Sequence, residues 1–66
     1  MILLEEGTDR MFIARNTDGE VIFKSKLDGT FYKDTAQLFA KSLARANGQV
    51  VRICYDSGDT HDIHPV

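Results

Sequence analysis

The stretch from Asp34 to Gly48 constrains the fold more than any other. It reads as one amphipathic helix. Asp34 is placed to cap its N-terminus, with Gln37 at the capping-box position, and Asn47-Gly48 supplies a left-handed stop. At 100° per residue, Ala36, Phe39, Ala40, Leu43 and Ala46 fall on one stripe. Gln37, Lys41, Ala44 and Arg45 lie opposite, and Leu38 sits at the margin, where it is expected to pack under a loop. No other segment carries this period, so the helix must bury its stripe against strands.

Strand-like pairs split by glycine turns flank the helix. Arg10–Asn16 and Glu20–Lys26 enclose Thr17-Asp18-Gly19, a three-residue hairpin loop with glycine in the left-handed region. One register pairs Asn16 with Glu20, Ala14 with Ile22, and Ile13 with Phe23. A loop one residue different pairs Phe12 with Phe23 and Ile13 with Ile22. The second hairpin, Gln49–Tyr55 and Asp59–His64 around Asp56-Ser57-Gly58, pairs Arg52 with Asp62, Val51 with Ile63, and Ile53 with His61. That register sets opposite charges face to face. Ile2–Glu5 reads as a short additional strand at a sheet edge. Asp28-Gly29 marks a turn before Thr30-Phe31-Tyr32, whose aromatic rings are expected to pack in the core or at the helix start.

The expected fold is therefore α+β. An antiparallel sheet of about four strands packs on one α-helix, in the order ββαββ, as a single domain over residues 1–66. A chain of this size buries only about 60% of its unfolded surface. Deep pockets are hard to build in so thin a core, so neither an enzyme nor a small-molecule substrate is expected. The apolar run Met1–Leu4 is too short for a signal peptide or a membrane span and runs into Glu5-Glu6. The chain is read as cytoplasmic, with no membrane contact.

Cys54 stands alone, which excludes an internal disulfide and suits a small strand residue in a reducing compartment. His61, Asp62 and His64 with Cys54 form the one cluster of metal-ligand types. His61 and His64 are three apart on a strand and point to opposite faces, and Asp62 has Arg52 to pair with, so no metal is expected. The glycines at 7, 19, 29, 48 and 58 are turn punctuation rather than a phosphate loop, and no cofactor is expected.

The net charge of −2 is unevenly spread. Lys24, Lys26, Lys33, Lys41, Arg45 and Arg52 make the middle basic, while both ends are acidic. One helix covers one sheet face, which leaves the other to polar side chains. Lys24, Lys26, Arg52, Asp62 and His64 fit that face. The first hairpin does not. Either Phe12 with Ile22, or Met11, Ile13 and Ile22, must lie away from the helix. Ile2-Leu3-Leu4 folds over these groups, or they form an interface.

The second option makes Ile22, Lys24, Lys26 and Arg52 the expected partner-binding residues, with Lys41 and Arg45 on the helix as a second surface. The partner is a protein, either a host complex or a second copy. The alternative is a small nucleic-acid-binding domain, in which the same Lys and Arg side chains follow a phosphate backbone and Phe12 is the one aromatic group open to base stacking.

Thr35, Ala40 and Ala44 on the helix, followed by the strand Gly48-Gln49-Val50-Val51-Arg52-Ile53, give residues 10–64 a pattern that resembles small phage and mobile-element proteins of the anti-CRISPR type. The likeness is one of pattern and assigns no site residues. It implies a stoichiometric inhibitor that binds a host defence complex and blocks nucleic-acid access or assembly by covering a surface.

Overall fold

Ile2, Leu3 and Leu4 run without a polar break, the pattern of a strand with neighbours on both sides. In the computed structural model, which covers residues 1–66, β1 (Ile2–Glu6) lies at the centre of a five-stranded sheet. It pairs antiparallel with β2 (Met11–Arg15) and parallel with β4 (Val51–Cys54). With β3 (Val21–Lys26) and β5 (Thr60–Ile63), the order is β3-β2-β1-β4-β5. The expected class, α+β with one helix, holds. The expected antiparallel sheet of about four strands does not: the sheet is mixed, and its first strand is central rather than peripheral. Each hairpin satisfies its own backbone groups but leaves an inner edge open, and β1 pairs with both open edges at once.

Helix α1 runs from Tyr32 to Asn47, so it begins two residues before the expected cap. Phe31 is the residue at the cap position and makes no side-chain capping bond; Asp34 lies inside the first turn instead. Tyr32 explains the longer helix. Its ring packs 6.2 Å from that of Phe12, and the Arg10 guanidinium lies 4.4 Å over it, so burial of the first turn replaces a polar cap. Phe31, expected in the core or at the helix start, stands at the helix start and is 73% exposed. The C-terminal stop is as expected: Gly48 adopts φ 62° and its N–H donates to the carbonyl of Ala44.

The helix meets the sheet through Ala36, Ala40 and Ala44, all fully buried. Alanines one turn apart let the helix backbone approach the strands closely. Phe39 and Leu43 flank that ridge, with Phe39 stacked 4.9 Å from Phe23. The buried stripe is thus rotated from the expected one: Ala44 faces the sheet and Ala46 faces solvent. Ile2, Leu4, Phe12, Val51 and Ile53 supply the sheet's side of the core, all fully buried.

The first hairpin keeps the first expected register at its loop end, where Asn16 meets Glu20 and Arg15 meets Val21, and leaves it from Ala14 onward. Its loop is as read: Asn16 N–H donates to Glu20 O at 3.0 Å, and Asn16 Oδ1 accepts from the N–H groups of Asp18 and Glu20. Between Ala14 and Arg15 a β-bulge then shifts the pairing, so that Arg15 opposes Val21 and Ala14 opposes Phe23. The extra residue brings Phe23 onto the same side as Phe12 and Ala14, where the helix buries it. The second hairpin has the expected register throughout.

Candidate functional site

Strand alternation and the bulge decide which side chains face away from the helix. Phe12 and Ala14 point inward and are fully buried. Met11 and Ile13 therefore point outward, as do Leu3 and Glu5 from β1, Lys24 and Lys26 from β3, and Arg52 and Cys54 from β4. The registers set them in rows. One row runs Lys24, Ile13, Glu5, Cys54, Thr60; the next runs Arg15, Leu3, Arg52, Asp62. Ile22 stands at the bulge, 39% exposed, beside the end of the second row. The open face thus carries an apolar centre of Leu3, Met11 and Ile13 within a ring of charge. Of the two outcomes open for the first hairpin, it is Met11, Ile13 and Ile22 that turn away from the helix. Ile2-Leu3-Leu4 does not fold over them but adds Leu3 to their surface.

Several of the charges are engaged. Arg52 donates to both carboxylate oxygens of Asp62, at 2.8 and 3.1 Å. That hydrogen bond and charge hold Asp62 below the usual carboxylate range and raise Arg52 further. Lys26 pairs with Asp9 at 2.9 Å, and this bond raises its pKa. Asp9 reaches it from a single 3-10 turn over Thr8–Arg10, in which Asp9 and Arg10 both take φ of 56°. Arg15 donates to the Gly19 carbonyl at 3.1 Å. Lys24 has no ion-pair partner. Burial pushes the Cys54 thiol up, and Glu5 adds to the effect.

Ile22, Lys24, Lys26 and Arg52 thus share the open face, as the sequence suggests. Lys41 and Arg45 lie on the helix at the other side of the sheet, a separate surface. Phe12, the one aromatic group considered for base stacking, is fully buried in the core and cannot meet a base. Cys54 opposes Thr60 outward while His61 opposes Ile53, so these two potential ligands occupy different faces. Nowhere do three His, Cys, Asp or Glu side chains converge as a metal site requires. Sequence reasoning misses Leu3 and Glu5 because it sets β1 at an edge, and it misses Arg15, which alternation with Met11 and Ile13 puts on the same face. Leu3 and Leu4 are the same residue type, so which of them faces outward is decided only by the pairing of β1 with its two neighbours.

No helix is long and apolar enough to cross a membrane. Comparison of the chain with protein families, with curated proteins and with solved structures finds no match.

Proposed function

We propose that this chain is a non-enzymatic protein-binding module and that the open sheet face is its contact surface. The observation that carries the reading is the position of Leu3, Met11, Ile13 and Ile22 on the face the helix leaves uncovered. Contiguous apolar side chains inside a polar rim are the usual anatomy of an interface. Lys24, Arg15 and Glu5 around that centre set the orientation of a partner and the rate at which it docks. The resemblance to anti-CRISPR proteins adds a mode of action: occlusion of a surface on a host defence complex.

A nucleic-acid surface is less well supported. Lys26 and Arg52 are already in ion pairs, and the stacking aromatic is buried. Affinity capture from bacterial lysate with and without nuclease, using the native chain and the variants Ile13→Asp and Leu3→Asp, tests the reading. A protein captured in the presence of nuclease and lost with either variant supports it. Capture that nuclease abolishes, or that both variants leave intact, overturns it.

A further inference from the structure

Near the far edge of the sheet, α1 lies over β4 and reaches β5. A groove of about 540 Å³ opens there, and Asp34, Gln37, Leu38, Lys41, Ile63 and Val66 contribute to its lining. Leu38 was expected to lie under a loop, but nothing covers it and it is 67% exposed. Ile63 lies half-buried at the strand side. The outer edge of β5 has no strand beside it, so its backbone groups are open to a further chain.

The helix wall of this groove has a particular order of charge. Asp34, Leu38, Lys41 and Arg45 fall on one outward stripe by helical spacing. The stripe is negative at its start, apolar in its middle and positive at its end. Asp34, Lys41 and Arg45 form no ion pair within the chain. The helix dipole favours an acid first and bases last, but it provides no reason for an uncovered leucine between them. Such a stripe is complementary to itself when reversed. An antiparallel copy brings Asp34 against Lys41 or Arg45 of the second helix, twice, with the two Leu38 side chains between. A two-fold axis perpendicular to the sheet, just beyond β5, produces this arrangement and also sets the two β5 strands antiparallel at their open edges.

We propose that the chain forms a symmetric dimer across this groove, with a second copy joining at β5 and the two helices pairing through Asp34, Leu38 and Lys41. A register centred on Ile63 places Asp62 beside His64 of the second copy, with the backbone groups of these two residues on the open edge of β5. The short β5 edge alone is too small to hold two chains. The helix stripe supplies the apolar contact and the specificity. The open sheet face stays uncovered in this dimer, so the proposal stands or falls independently of the one above.

Sedimentation of the full chain over a range of concentrations tests it, with five variants compared against the native chain. The native chain should sediment as a dimer. Leu38→Asp, at an exposed position, should keep the native circular dichroism and weaken the dimer by at least about tenfold. Asp34→Lys and Lys41→Asp should each weaken it, and the double variant carrying both should recover native affinity to within about threefold, because the exchanged charges meet again across the axis. A native chain that is monomeric at millimolar concentration overturns the proposal. So does a dimer that Leu38→Asp leaves intact, one that Ile13→Asp dissociates, or a double variant no tighter than the singles.

Discussion

Arg52 and Asp62 hold β4 and β5 together by a two-pronged contact, Nε to one carboxylate oxygen at 2.8 Å and Nη2 to the other at 3.1 Å. Both side chains remain about 40% exposed, at 41% and 39%, so solvent screens the pair and its stabilising effect is small. Its effect on titration is clear in sign. Asp62 is held below its usual range in the folded chain. Its contribution is therefore complete above the unfolded carboxylate pKa and is lost as pH falls through the lowered folded value. Carboxyl carbon shifts followed by NMR should show Asp62 titrating below the usual carboxylate range. In Arg52→Gln the same carbon should move up into the ordinary range. An Asp62 shift that ignores this substitution would contradict the pairing.

Tyr55 presents a different case. Its ring packs edge-on to Phe12, 6.4 Å between centroids, and Lys33 covers its outer side at 4.9 Å. Its buried hydroxyl has no hydrogen-bond partner. Removing an unpaired buried polar atom recovers its desolvation cost. Tyr55→Phe should therefore be as stable as the native chain or up to about 1–2 kcal/mol more stable by urea unfolding. A loss of stability would show that the hydroxyl is bonded in solution.

The close approach of α1 depends on side-chain size. Ala40 is the middle of the three fully buried alanines. Ala40→Leu must push the helix from the sheet or force strained rotamers, and should cost about 1–3 kcal/mol. Ala46→Leu, at the exposed position expected from the sequence to be buried, should change stability by less than about 0.5 kcal/mol. Paired urea denaturation curves separate the two, and equal effects would return the stripe to its expected rotation.

The central position of β1 predicts a sharp contrast between neighbours. Leu4 is fully buried under the helix, whereas Leu3 lies on the open face. Leu4→Ala should lose about 2–5 kcal/mol, a core truncation. Leu3→Ala should lose no more than about 1 kcal/mol. A one-residue slip of β1 would exchange these effects, because it turns every side chain to the other face.

What the sequence discloses about this fold is what is local. Gly58 and the Arg52–Asp62 match lie within one hairpin, so the register of the second hairpin can be read before any tertiary contact is known. The αL stop at Gly48 is equally local. The start of the helix is not. Asp34 has the chemistry of a cap, but Tyr32 extends the helix past it by packing on Phe12, a residue distant in sequence. The bulge at Ala14 likewise answers to the helix, which takes Phe23 against Phe39. Lys24, Lys26 and Arg52 were legible as open-face residues from alternation alone. Leu3 was not, because its face depends on a strand pairing that spans most of the chain.

That pairing makes β1 the shared seam of the protein. The hairpin of β2 and β3 and the hairpin of β4 and β5 each close over a few residues, so their strand pairings are short in range. Leu3 next to Arg52 is a contact between residues 49 positions apart. During synthesis β1 and β2 are complete before β4 exists, and a β1 paired only with β2 leaves a row of unpaired N–H and C=O groups along its other edge. Contacts of such long range form slowly, and an unpaired edge invites other strands. The step that completes this fold is therefore also the one most exposed to misassembly.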